Sequence, residues 1–476
     1  MERHLFRILL ALVFIPGAIA ASGKTPPEDQ ARRDSLWRII ESREVVIGDK
    51  TGLLDVRVPA GEVPDLCFLP REHPAQDTVP AAIREAVAER TRLTGRDSLS
   101  SADLMWALRP YLRWLQRIDP HLRVQPQARL ALQSRQAYRT AKNAPLPGFL
   151  LLNIRDTLLV ERSVDPLFRP GDRLLAINGC PVGDYLVRCY DDRSIYSFTL
   201  MANHDFEMVR AQGYTVLFER SGERRTVHTA GRPWQEVYLG LLRQREFLTR
   251  IFPEAKAGYF AITEFYPNNG LLIKKLRRAI LAAKEQGCTS FILDLRGNPG
   301  GNGSAFDDLL SIFINKPSIP YLKGQRVRVG PETLRDYDFL TDSMRWQLVD
   351  VPPEERVAEV RLDRKKYIPG MKYYVLMNKD TGSVAASFCN ILQFNDAAEL
   401  VGEPLLENAL RYGEVTQRWH GLTRLMLTVS TVEFDECTRA EDGVLRPDIP
   451  IPYVAADYLA GRDAMLVRLL DRIAQR

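Results

Sequence analysis

Cysteine is scarce. Six residues (67, 180, 189, 288, 389 and 437) in 476, none in a Cys-x-x-Cys pair, give neither a disulfide framework nor a cysteine zinc site. Cys180 and Cys189 lie near enough to pair, but separate buried thiols are the expectation. HExxH and clusters of His and Cys are also missing, so no metal and no cofactor is expected. Charge of one sign is nearly balanced: 65 Lys and Arg against 60 Asp and Glu leave a formal +5, scattered along the chain. That excludes an evident nucleic-acid or anionic-membrane surface. Repeats and low-complexity tracts are absent. Long apolar runs are absent too, and the one from Ile8 to Ile15 is too short for a bilayer, which takes about 20 residues.

That run is preceded by Arg3 and Arg7 and followed by Ala18-Ile19-Ala20, the pattern of a secretory signal cleaved after Ala20. The expectation is a periplasmic or secreted protein with no membrane insertion after cleavage.

What is present is an ordinary folded composition, 45% apolar and 26% charged, in a chain long enough for two or three cores. After residues 1–20, residues 21–144 read mainly helical, with apolar spacings of three and four in ARRDSLWRIIESR, PAAIREAVAERT and SSADLMWALRPYLRWLQRI. From 145 to 232 short β runs alternate with Pro-Gly, Asn-Gly and Ser-Gly turns. From 233 to 455 strands alternate with helices, the signature of crossover units on a mostly parallel sheet, with 320–370 read as an insertion. Residues 456–476 form a closing helix. The fold class is α/β and multidomain.

Ligands of open α/β sheets bind beyond the carboxyl ends of strands, and two such ends carry chemistry. After FILDL comes Arg296-Gly297-Asn298-Pro299-Gly300-Gly301, a turn whose glycines let backbone N–H groups cradle an anion. No GKS or GKT follows it, which excludes an NTP-binding loop. After YYVLMN comes Lys379-Asp380-Thr381-Gly382-Ser383, which sets a serine at a helix start. Together they describe a nucleophile facing an oxyanion hole, although a glycine turn or a capping serine alone is commonly structural.

DLRGNPGG, TGSVAASF, AELVGEP and GVLRPDIPI, in this order, resemble the C-terminal processing (tail-specific) serine peptidases and the tricorn-core peptidases. LFRPGDRLLAINGCPV resembles their embedded PDZ-like domain. The resemblance implies a ClpP/crotonase-like core, a peptide or protein substrate and a serine-type endopeptidase. Ser383 becomes the nucleophile, with Ser387 its rival one helical turn on. The implied oxyanion donors are Val384 and Gly300 or Gly301. Leu146-Pro147-Gly148-Phe149 falls at the carboxylate-binding loop of such a domain, making Gly148, Phe149 and Leu150 peptide-binding residues. Pro147 has no N–H to give, which weakens recognition of a free carboxylate.

The tail-specific lysine falls on Asn408, so a Ser-Lys dyad is not expected. The tricorn-like branch implies His121 as base, in a turn shaped by Asp119 and Pro120, with His420 as competitor. The implied orienting acid is Glu441, with Asp442 and Glu436 nearby. Asp294 and Arg296 are expected to brace the glycine turn by an ion pair. The alternative is an inactive peptide- or apolar-ligand-binding protein on the same fold, favoured by Asn408 and by Ala386 in place of the family glutamate.

Overall fold

A computed structural model describes residues 58–59, 85, 88, 92, 98–99, 123–126, 145–154, 157–182, 213–233, 236, 248–265, 269–330, 333–345, 347–407, 409–420, 425–454, 456–457 and 462–475. The signal segment, most of the expected N-terminal helices, Cys189, His121 and Asn408 lie outside them. Strand β1 (Arg123–Pro126) follows.

A first unit begins where β2 (Pro145–Leu146) pairs with β8 (Arg232–Pro233), so chain entry and exit run side by side. Between them β3 (Phe149–Ile154), β4 (Thr157–Ser163), β5 (Arg173–Ile177), β6 (Tyr214–Arg220) and β7 (Glu223–Thr229) form an antiparallel sheet in the order β7-β6-β5-β4-β3. In β6, Tyr214, Val216 and Phe218 are buried in strict alternation, the period-2 pattern of a one-sided sheet. Asn178 and Gly179 both take positive φ in the turn after β5, as the Asn-Gly pair predicts.

The second unit is a sheet in the order β9 (Thr249–Phe252), β10 (Ala257–Ala261), β11 (Ser290–Asp294), β14 (Lys372–Met377), β15 (Glu399–Gly402), β18 (Ile449–Pro450). β9 is antiparallel to β10, and every other pair is parallel. Every residue of β11 is buried, because helices cover both faces. Helices α1 (Asn269–Glu285), α2 (Phe306–Phe313) and α3 (Val384–Phe394) share one apolar cluster, and α4 (Ala464–Ala474) packs in the other. On α1, Leu272, Leu276, Ile280 and Ala283 are buried at the three- and four-residue spacing of one helical face.

Residues 320–370 are more than an insertion. β12 (Leu322–Arg328) and β13 (Leu348–Asp350) join the hairpin of β16 (Leu410–His420) and β17 (Leu425–Glu436) in an antiparallel sheet. β1 pairs with the Leu425–Thr428 end of β17, so the segment expected to be helical also lends a strand to the C-terminal half.

Candidate active site

β11 and β14 are parallel neighbours, with Asp294 opposite Leu376, so their carboxyl-end turns emerge side by side. Buried side chains staple the turns together. Asn378 Oδ1 accepts from the Gly297 amide at 2.9 Å, and the Gly382 amide donates to the Asn298 carbonyl at 2.9 Å. Thr381 Oγ1 donates to the Leu295 carbonyl at 2.8 Å, and Asn298 Nδ2 to the Ile262 carbonyl at 2.9 Å. Asn298 and Thr381 have no exposed surface, so these polar groups are satisfied inside the protein.

Ser383 ends the second turn and opens α3 with φ 52° and ψ −126°. Positive φ is costly for a residue with a Cβ, and such strain concentrates at functional sites. Its side chain makes no capping hydrogen bond to the helix. The glycines facing it have separate reasons to be glycine. A Cβ on Gly300 would stand 2.6 Å from Ser383 Cβ and 2.9 Å from the Val384 nitrogen, filling the space in front of that amide. A Cβ on Gly301 would stand 2.0 Å from the Phe265 carbonyl oxygen. The Gly300 N–H is committed to Asn298 Oδ1 at 2.8 Å, which removes Gly300 as an oxyanion donor in this geometry. The N–H groups of Gly301 and Val384 carry no hydrogen bond among the described residues.

The glycine turn is braced from beneath. Arg296 meets Asp294 at 2.5 Å and Asp463 at 2.7 Å, and Tyr259 donates to Asp294 at 2.7 Å. Burial opposes the charge of Arg296, but Asp294 and then Asp463 hold the guanidinium well above its ordinary pKa. Asp294 and Arg296 thus form the expected pair, while Asp463, in the closing segment, was not foreseen.

Behind α3 lies a second buried set. Glu407 Oε2 accepts from the Ser383 amide at 2.6 Å. Arg411 donates to Glu436 at 2.9 Å, and Glu436 also accepts from Ser387 Oγ and, at 2.9 Å, from Asn390. Burial works against the Arg411 charge, yet Glu436 and Glu407 raise its pKa above the usual value. Burial, reinforced by Glu436, also pushes up the phenol of Tyr321 beside Ser387. The hydroxyl of Ser387, the rival nucleophile, is therefore engaged with a carboxylate on the inner side of the helix.

The other expected residues fall as follows. Glu441 is exposed in the turn after β17, whereas Glu436 is buried beside α3. Asp442 is held at a pKa of about 2 by Arg446 and the Val444 amide. His420 closes β16, paired with Leu425, nine residues along the strand from Arg411, up to about 30 Å at the rise of a straight strand. His121 lies outside the described residues, and β1, beginning two residues after it, reaches β17. Gly148 and Phe149 are buried, and Leu150 lies in β3, the edge of its sheet among the described strands. The Gly148 carbonyl accepts from the Val164 amide at 2.7 Å and from Ser163 Oγ at 2.9 Å, and a Cβ there would meet Asp165 and Arg232 at 2.8 Å. Glu407 and Arg411 carried no motif. Their only signal was a Glu and an Arg four apart in GEPLLENALR.

No cluster of His, Cys, Asp or Glu able to hold a metal occurs among the described residues. No described helix is long and apolar enough to cross a membrane. Cys288, Cys389 and Cys437 are free thiols, and burial pushes Cys389 up to about 12.

Residues 256–451 match the model of Peptidase family S41. A carboxyl-terminal-processing protease of Synechocystis sp. is 28% identical over 151 residues, a stretch covering 32% of this chain and 28% of that protein. Mature CPAF superposes with a TM-score of 0.55 at 14% identity, over 94% of this chain and 97% of that one. Mature CPAF complexed with lactacystin gives 0.54 at 15%, over 82% and 91%. At these identities the structural likeness is one of fold.

Proposed function

From the premise that residues 256–451 are a segment of peptidase family S41, that of the C-terminal processing proteases, we propose that the protein is a serine peptidase acting through an acyl-enzyme. The observation that carries this is Ser383: a strained strand–turn–helix elbow whose side chain is spared from capping and faces the glycine turn. In this reading Ser383 Oγ attacks a peptide carbonyl, and the Val384 and Gly301 amides hold the oxyanion. Two preorganised donors suit that role, since losing one typically costs roughly 10²- to 10³-fold in turnover.

His121 is the proposed base, taking the Ser383 proton and returning it to the leaving amine, as a near-neutral imidazole can. Glu441 is the acid implied for its orientation. Its exposure makes that the weaker assignment, and the proton transfer is assigned to His121 without requiring it. Substrate is expected as an extended chain along the β3 edge of a PDZ-like domain. Pro147, which has no N–H to give a carboxylate, supports cleavage that does not need a free C-terminus. Export to the periplasm or medium, from the Arg3–Ala20 signal, belongs to the same proposal.

The test is covalent labelling of the purified protein by a fluorophosphonate probe. Labelling at Ser383 is expected, retained in Ser387→Ala and lost in Ser383→Ala. A folded protein that does not label would instead be a peptide-binding protein on a peptidase fold.

A further inference from the structure

The nucleophile helix is tied along one face to the hairpin behind it. Ser383, Ser387 and Asn390 stand at i, i+4 and i+7, and each meets a carboxylate: the Ser383 amide on Glu407, Ser387 Oγ and Asn390 Nδ2 on Glu436. Arg411 stands between the acids, 2.9 Å from Glu436 and 3.5 Å from Glu407. All three are buried, Glu407 to 8%, Arg411 to 7% and Glu436 to 1% of full exposure.

Two carboxylates and a guanidinium are buried together in a place where well-packed apolar residues are often at least as stabilising. The positive end of α3 favours a carboxylate here, because Glu407 accepts from the Ser383 amide at the start of the helix. What the trio holds is Ser383, whose backbone is strained at φ 52°. Glu407 also neighbours Asn408, the position at which tail-specific peptidases place their lysine. The loop that supplies a base there supplies here a carboxylate to the nucleophile's backbone.

We propose that Glu407 is a positioning residue for the nucleophile. Fixed by Arg411 and, through it, by Glu436, its carboxylate holds the Ser383 amide and the positive φ that presents Oγ to the glycine turn. The inference rests on the peptidase reading, and two readouts separate them. The first is kinetic, on the full chain. Glu407→Gln is isosteric and uncharged; it is expected to lower both the fluorophosphonate labelling rate and kcat by about 10-fold, and Glu407→Ala by up to about 100-fold, the scale of a misplaced reacting group. KM stays within about twofold, because no substrate contact is removed. Arg411→Met alone lowers kcat as well, and the double variant Glu407→Gln/Arg411→Met loses little more than the worse single one. Wild-type rates in folded Glu407→Gln, a change confined to KM, or losses that multiply would overturn the proposal.

The second readout is independent of activity. In a Ser383→Ala background, hydrogen exchange of the peptide spanning 382–388 is expected to quicken when Glu407→Gln is added. Unchanged protection would overturn the proposal. A wild-type protein that never labels at Ser383 would instead sink the peptidase reading and leave the exchange result standing. If Glu407→Ala does not fold, the Gln and Arg411→Met variants decide.

Discussion

Arg296 and Asp463, 167 residues apart in the chain, meet through two hydrogen bonds of 2.7 Å. The same Asp463 carboxylate caps α4 by accepting from the Leu466 amide at 3.1 Å. One side chain, beyond the 256–451 segment, thus joins the closing helix to the turn that carries the glycines.

Asparagine caps a helix nearly as well as aspartate but cannot form the ion pair. Asp463→Asn is therefore expected to lower kcat roughly fivefold through the turn, a loss of about 1 kcal/mol in that hydrogen bond, and to lower Tm modestly, while Asp463→Ala, which also loses the cap, lowers Tm further. Equal effects of the two variants on both measurements would contradict this division. The acid limit follows from sign. Burial raises the Asp463 pKa, but Arg296 outweighs it and holds the folded value below the ordinary one. The stabilisation is thus full above the unfolded pKa of about 3.9 and lost as pH falls through the depressed folded value. The Tm gap between wild type and Asp463→Asn is expected to persist at neutral pH and to close below about pH 4, in thermal melts across that range.

The paired glycines differ in what an added methyl would meet. Gly300→Ala puts a methyl in front of the Val384 amide and 2.8 Å from the Gly382 carbonyl oxygen, at a φ of 100°, and is expected to abolish labelling with some loss of stability. Gly301→Ala collides with backbone at 2.0 Å and is expected to lower stability by about 2 kcal/mol or more. Denaturation midpoints and labelling of both variants test the contrast, which fails if Gly300→Ala remains reactive.

For the base, His121→Ala is expected to lower turnover by about 10²-fold or more. His420→Ala, Glu441→Gln and Asn408→Ala are expected to stay within a few-fold. Activity also falls as pH drops through the ordinary histidine range near 6.5. Greater damage from His420 or Asn408 would end the tricorn-like assignment, and damage from Glu441→Gln would bring that exposed turn into the site.

Substrate ends are tested with a matched peptide acid and amide. Losing a charge-assisted hydrogen bond is worth roughly 1.5 to 3 kcal/mol, so an enzyme that reads the carboxylate would lose about 10- to 150-fold in kcat/KM on the amide. Because Pro147 has no N–H to give, near-equal values are expected.

Much of this was legible in the sequence because local rules sufficed. FILDL and KYYVLM read as buried strands, and their glycine and serine turns emerge side by side because parallel neighbours end at the same edge. The Asp294–Arg296 pair was readable at a spacing of two. Glu407, Arg411, Glu436 and Asp463 were not, since each acquires its meaning from a partner that only the tertiary fold supplies, up to 167 residues away. The same limit applies to 320–370: β12 pairs with β13 within the segment, but its other edge pairs with the distant β17, which no local pattern announces.

The backbone of Ser383 sets catalysis against durability. A residue with a Cβ at φ 52°, on a helix end that forgoes its side-chain cap, carries a conformational penalty on the order of 1 to 3 kcal/mol. Glycine at this position relieves it, so Ser383→Gly is expected to melt at a higher temperature than the wild type while losing all reactivity toward the probe. Selection for thermal tolerance alone would favour glycine here, and on the peptidase reading the retained serine is a preference for reactivity over stability at this position.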